Sequence, residues 1–382
     1  MKQLMILGRK LQLISVTAIL VASSSLHAQI EETNNLSGSA GNYFLDSPDS
    51  TKWAVIITGP TVGEVNQAQF RQWSFSLHDI LARDYGYTSD TITMLYDRGP
   101  PALPGGDRVD GASNREGIEQ ALAELAQQVE TGDQITLYLI GHGSGAEEEA
   151  KFNIVGPDIT GVEFAAMLDQ FNQQDIVIVN TTSASYGFST SLSSEGRVVI
   201  SSTRSPSERY DPVFSRFFIE ALDNRNGDRD QNTRVSMLEA FEYAKSNVDA
   251  WYEEQGRLAS EHAGLDDNGD ALFALNPTVD ATDGRLAEIA YIDTPVDDTA
   301  NLSPEARELK AQMQDIERSV FILRGSKQDF LEDDYWQQME GLLVDLARAT
   351  GRFNEVAGIP DDEDSSDSDT ESEQIDDFQA LQ

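Results

Sequence analysis

The chain reads as an α/β protein: a largely parallel sheet with helices on both faces, followed by a C-terminal helical hairpin. Three observations predict this. Five short apolar runs are continuous rather than alternating, as strands buried on both faces require. Amphipathic helical patterns separate the runs, as in a parallel sheet wrapped by helices. Two long segments after the sheet then repeat an apolar 4-3-4 spacing.

In chain order, 53–58 (WAVIIT) is a buried strand, 70–84 an amphipathic helix and 91–96 (TITMLY) a second strand. Ser113 and Glu116 have the spacing of a capping box, opening a helix with Ile118, Leu122, Leu125 and Val129 on one face. A third strand is expected at 135–140, a helix capped by Thr160 and Glu163 after it, a fourth strand at 176–179 and a fifth at 197–201. Helical patterns follow at 212–222 and 236–255. Leu309, Met313, Ile316 and Val320, then Tyr335, Met339, Leu342 and Leu346, form the stripes of an antiparallel hairpin over 303–350.

The ends of the chain have other signatures. Lys2, Arg9 and Lys10, an apolar stretch over 11–22 and small residues ending at Ala28 predict a signal peptide over 1–28 and an exported protein, periplasmic or extracellular. Residues 29–51 read as a flexible lead-in, 52–275 as the α/β domain, and 358–382 as a disordered acidic tail. No later run approaches the roughly 18 apolar residues of a membrane helix, so no membrane span is expected. Absence of cysteine excludes disulfides and a lipid-modified cysteine. Removing 1–28 takes away three basic residues and no acidic one, so 27 basic and 66 acidic residues become 24 and 66, a net charge of −42. Such a surface repels nucleic acid and attracts divalent cations.

Chemistry concentrates in loops that leave the carboxyl ends of strands, where sites form in parallel sheets. GHGSG (141–145) follows LYLI, and NTTSAS (180–185) follows IVIV. The order WAVIITG, QFRQWSFSLHDIL, TITMLYD, GPPALPGG, LYLIGHGSG, IVIVNTTSASYGF, VVISSTRSPSERY over roughly 52–222 resembles the caspase-like cysteine peptidases, most closely the legumain branch. The resemblance implies a caspase-like sheet, His142 as general base, Gly143 as an oxyanion-hole amide, and Thr182 where the family has its nucleophilic cysteine, with Ser183 in the neighbouring register. It also implies a specificity pocket with Arg71 on one wall and the strand carrying Ser202 and Arg204 on the other. The departure is the missing thiol. A hydroxyl must surrender its proton to a base during attack, whereas a thiolate is populated near neutral pH. Short polar residues in such a turn also satisfy their own backbone, and a loop histidine or surface arginine need have no catalytic task.

DRDQNTRVSMLE (228–239) places Asp228, Asp230, Asn232, the Arg234 carbonyl, Ser236 and Glu239 at the oxygen-ligand positions of an EF-hand loop, with Val235 at the eighth. Calcium is the ion such a loop would take, against the alternative of a solvated acidic turn. Thr233 stands where the loop wants glycine, which strains the turn. LDDNGD (265–270) lacks a closing glutamate and reads as a weaker case or simply a turn.

Three functions follow as expectations. The first is a peptidase-fold protein without ordinary cysteine peptidase activity that binds peptide or protein partners. The second is an active peptidase using Thr182 or Ser183 with His142 as base. The third is a calcium-dependent structural or adaptor protein acting through its hairpin.

Overall fold

The computed structural model describes residues 43–358 apart from 46, 48, 49, 62, 102, 103, 280, 295–301, 328 and 329. The expected signal peptide, most of the lead-in and the acidic tail beyond 358 lie outside the described residues. Contacts divide the chain into two units, Met1–Val296 and Asp297–Gln382.

The first unit runs β1 (Lys52–Thr58), α1 (Glu64–Asp84), β2 (Ile92–Tyr96), α2 (Arg115–Leu125), β3 (Gln134–Ile140), β4 (Gly143–Ser144), β5 (Lys151–Phe152), β6 (Ile159–Thr160), α3 (Gly161–Leu168) and β7 (Asp175–Asn180). It continues through α4 (Ser185–Thr190), β8 (Arg197–Ser201), α5 (Phe214–Leu222), α6 (Met237–Glu254), β9 (Gly264–Asp266) and α7 (Arg285–Ile289). The main sheet has the order β2-β1-β3-β7-β8-β9. Its first five strands are parallel and β9 is antiparallel to β8. The fold is α/β with a mostly parallel sheet, and the five strands expected from apolar runs are its five parallel strands.

β3 lies mid-sheet and every one of its residues is buried. Leu137 and Leu139 face a core completed by Ile118 and Leu122 of α2, Phe164 of α3 and Phe188 of α4. Tyr138 points the other way, 6.4 Å from Phe218 of α5 between ring centres, and Phe214 of α5 meets Phe241 of α6 at 6.2 Å. Helices therefore cover both faces, and each large side chain buried there stabilises the fold by about 1.5–3 kcal/mol.

Three local expectations change. The helix expected from 70 begins at Glu64, because its first turns are polar and carry no core-facing period. Asn114, not Ser113, caps α2: its side chain accepts the Gly117 amide at 2.8 Å, while the Ser113 hydroxyl donates to the Asp97 carbonyl at 3.2 Å. The third helical residue is thereby Gly117, so Glu116 cannot close a box. At α3 the Thr160–Glu163 capping box forms as expected. The sixth strand, β9, had no apolar run to reveal it.

LDDNGD is a turn that spends its carboxylates on backbone amides. Asp266 accepts Gly269 and Ala271, both at 2.9 Å, and Asp267 accepts Gly284 at 3.0 Å and Ala287 at 2.9 Å, capping α7. Asp283 accepts the Asp267 amide at 3.1 Å. Burial, reinforced by the charges of Asp267, Asp266 and Asp270, pushes the Asp283 carboxyl from 3.8 up to about 7. The folded state thus holds this proton more tightly than the unfolded state, and the resulting stability is full below pH 3.8 and is lost as pH rises to about 7. Asp283→Asn keeps the acceptor and removes the charge. It is expected to unfold at higher urea than wild type at pH 8, by on the order of 1–2 kcal/mol, with a flatter pH profile between 4 and 7. An unchanged profile would contradict this assignment.

The second unit is the hairpin of α8 (Pro304–Gly325) and α9 (Glu332–Ala357). Leu323, Tyr335, Met339 and Leu342 form its core, with Ile316, Val320 and Phe330 against them. These are largely the two stripes read from the 4-3-4 spacing. α9 continues past residue 350, where the hairpin was expected to end.

Candidate functional site

β3 and β7 are hydrogen-bonded neighbours, so the loops after Ile140 and Asn180 leave the same edge of the sheet. β4 pairs with β5 and β5 with β6, forming a small antiparallel sheet that carries Gly143. Gly143 is required there. A Cβ at this position would stand 2.3 Å from the Ser183 carbonyl oxygen, 3.1 Å from Thr182 Oγ1 and 3.2 Å from the Lys151 carbonyl. The structure thereby brings together His142, Gly143, Thr182 and Ser183.

The His142 ring is held on three sides. Nδ1 lies 2.9 Å from Asp211 Oδ1, Nε2 lies 3.1 Å from Asn66 Nδ2, and Phe70 packs against the ring at 5.1 Å. Asn66 and Phe70 are four residues apart on α1 and share one helical face. An amide nitrogen can only donate, so Nε2 accepts from Asn66 and the ring proton sits on Nδ1, donated to Asp211. A carboxylate on Nδ1 is the arrangement that orients a histidine base. Here the basic nitrogen faces an asparagine amide and not a hydroxyl.

Each hydroxyl of the neighbouring loop also has a partner. Thr182 is 1% exposed, its Oγ1 donates to Asn180 Oδ1 at 2.8 Å, and its amide meets the same oxygen at 3.2 Å. Asn180 is fixed in turn by donating to Ser189 Oγ at 3.1 Å. Thr181 donates to the Leu139 carbonyl, and Ser185 Oγ sits among the hydroxyls of Ser201, Ser202 and Thr203. Ser183 Oγ accepts the Gly143 amide at 3.4 Å. Ala184 then takes a left-handed conformation, φ 49°, and the chain turns into α4.

The residues placed by resemblance on the pocket walls go to different ends. Ser202 is buried and donates to the Thr182 carbonyl at 2.7 Å, which stitches β8 to the loop and leaves its hydroxyl committed. Arg204 is exposed, with Nε 3.5 Å from Glu208. Glu208 also takes His262 Nδ1 at 2.7 Å and the Arg204 and His262 amides at 3.0 Å each. Arg71 donates to the Pro104 carbonyl at 2.9 Å and lies over the Phe75 ring at 5.4 Å. Sequence reasoning missed Asp211 and Asn66. Asp211 lies in the loop after β8, another carboxyl-end loop of the same sheet, and that placement was the available signal.

In the loop 228–239, carboxylate oxygens of Asp228, Asp230 and Glu239 lie within 4.8 Å of one another. Asp228 accepts the amides of Asn232 at 3.1 Å and Thr233 at 2.9 Å, and Asn232 Oδ1 accepts Arg234 at 2.8 Å. Thr233 has φ 70°, the left-handed conformation expected where glycine is preferred. The Val235 backbone bonds outside the loop: its amide donates to the Asp293 carboxylate at 3.1 Å and its carbonyl accepts the Ile292 amide at 2.9 Å. The Ser236 hydroxyl accepts the Glu239 amide at 3.2 Å and Glu239 Oε2 accepts the Ser236 amide at 2.9 Å, a complete capping box for α6.

No family model and no curated protein matches the chain. Among solved structures, it is similar to protein GSU0716 from Geobacter sulfurreducens at 10% identity and a TM-score of 0.35, over 56% of this chain and 92% of that one. That likeness is too weak to bear on the site.

Proposed function

We propose that the chain is an exported protein of caspase- and legumain-like descent that binds peptide or protein segments at the His142 edge of its sheet without hydrolysing them. One observation carries this reading: the hydroxyl in the nucleophile's expected place, on Thr182, is buried and donates to Asn180, while both His142 nitrogens are engaged by Asp211 and Asn66. The general base and the hydroxyl thus have other partners. Export rests on the signal-like opening sequence, and the strong negative charge argues against nucleic acid. Tyr210, 74% exposed beside Asp211, and exposed Arg204 are residue types that anchor partners at interfaces. Screening a peptide array with the purified chain tests the reading. Captured peptides should survive Thr182→Val and be lost on Tyr210→Ala; capture indifferent to Tyr210, or none at all, would contradict it.

A second reading has its own support. Ser183 Oγ lies at the Gly143 amide and Asp211 orients His142, so release of Nε2 by Asn66 would leave an oriented base one residue from the amide that meets Ser183. In that reading Ser183 gives its proton to Nε2 while attacking a peptide carbonyl, and the imidazolium returns the proton to the leaving amine.

We propose that the loop 228–239 takes calcium through Asp228, Asp230, Asn232, the Arg234 carbonyl, Ser236 and Glu239. Hard oxygen donors at this spacing suit that ion. Its role would be to tie the end of α5 to the start of α6. Millimolar calcium is expected to raise the melting temperature of wild type and not of Asp228→Ala. Thr233→Gly relieves the left-handed threonine and should stabilise the calcium-free chain by about 1 kcal/mol while tightening binding. No thermal shift with calcium would remove the site.

A further inference from the structure

The chain between β8 and α5, residues 202–213, contains neither helix nor strand, yet it carries the carboxylate that orients His142. The Asp211 side chain is 44% exposed, and among the described residues His142 is its one partner. A single contact at an exposed carboxylate holds little by itself. The position of Asp211 must therefore come from whatever fixes the backbone around it.

Two buried carboxylates do so. Glu208, whose side chain is 11% exposed, accepts the Arg204 amide at 3.0 Å, the His262 amide at 3.0 Å and His262 Nδ1 at 2.7 Å. Its own carbonyl accepts the Ala184 amide at 2.9 Å, so the same residue also pins the left-handed turn that ends the hydroxyl loop. Glu261 is 2% exposed and accepts the amides of Val213 at 2.8 Å and Phe214 at 3.0 Å, together with the Tyr252 hydroxyl of α6 at 3.0 Å. Glu261 and His262 are consecutive, so one short segment ahead of β9 clasps the loop at both ends. Only residues 209–212 lie between the two holds, and buried Pro212 biases Asp211 before it toward an extended backbone.

We propose that Glu208 is the positioning residue of the His142 edge. With the Glu261–His262 clasp it sets where Asp211 meets the imidazole, and it ties the Asp211 loop to the Ala184 turn. It acts through Asp211. A carboxylate is needed there because the groups it meets are all N–H donors, whereas a glutamine would turn its own N–H toward one of them. The inference rests on the reading of the His142 edge as the binding site, and its test reads the imidazole separately from peptide capture.

Imidazole nitrogen NMR on the full chain with isotopically labelled histidine tests it. The chain has 4 histidines, few enough for His142 to be assigned by its loss in His142→Ala. In mildly alkaline buffer wild type is expected to show a protonated Nδ1 and a bare Nε2 as two well-separated signals, and Asp211→Ala to draw them together as the tautomers exchange. Glu208→Gln should do the same while the backbone amide signals of β1, β2 and β3 stay those of wild type. Peptide capture should then weaken about tenfold, because the loop must be ordered on binding. His262→Ala removes one donor to Glu208 and should move the signals the same way by less; it decides the matter if Glu208→Gln does not fold. His142 signals that respond to Asp211→Ala but to neither Glu208→Gln nor His262→Ala overturn the proposal. Signals indifferent to Asp211→Ala as well overturn the contact between Asp211 and His142, and the proposal with it. If wild type captures no peptide while His142 still follows Glu208, the binding reading falls and the positioning role stands.

Discussion

Gly143→Ala is expected to lower the stability of the first unit by about 2–3 kcal/mol, the ordinary range for forcing an atom into a packed site. The new methyl would stand 2.3 Å from the Ser183 carbonyl oxygen, which is backbone and cannot swing aside. Relief requires β4 to move away from the loop after β7, so the Gly143 amide would also lose Ser183 Oγ. Urea unfolding and peptide capture should fall together. An alanine variant with wild-type midpoint would show that the two loops are not in contact at this point.

Phe188→Ala should cost more, about 3–5 kcal/mol. Phe188 is fully buried in α4, with Phe164 of α3 at 5.6 Å and Phe152 of β5 at 6.3 Å. It ties the helix that follows the hydroxyl loop to the small sheet bearing Gly143, so its loss should loosen the site as well as the core. Faster amide exchange is expected at residues 143–152 and 182–190, with β1 and β2 protected as before. Uniform loss of protection across the whole sheet would mean that Phe188 supports global stability alone.

Much of this architecture was legible because its cause is local. A strand buried on both faces must be a continuous apolar run, and WAVIIT, LYLI and IVIV are such runs. His142, Thr182 and Ser183 were legible because they directly follow two of those runs and parallel neighbours share an exit edge. β9 was not, since Gly264–Asp266 is three residues long, too short to show a period, and its pairing with β8 is a tertiary contact. Asn66 and Asp211 were equally hidden. They lie 76 residues before and 69 residues after His142, and only the packing of α1 and the loop after β8 brings them to its ring. The shift of a cap from Ser113 to Asn114 turns on a single residue of register, finer than propensity resolves. Thr233 is the converse case: loop spacing alone marked the position where a left-handed residue stands.

The hydroxyl-rich loop has a physical explanation that needs no reaction. Where a strand buried on both faces ends in a tight left-handed turn, Thr181 satisfies the Leu139 carbonyl, Thr182 the Asn180 side chain, and Ser185 the hydroxyls at and after the end of β8. Cleavage of a diverse peptide pool, followed by mass spectrometry, tests most directly whether that is their whole task. Wild type, Thr182→Ala, Ser183→Ala and His142→Ala should all leave the pool intact. Products that form with wild type and Thr182→Ala but vanish with both Ser183→Ala and His142→Ala would contradict the binding account and establish Ser183 as the nucleophile.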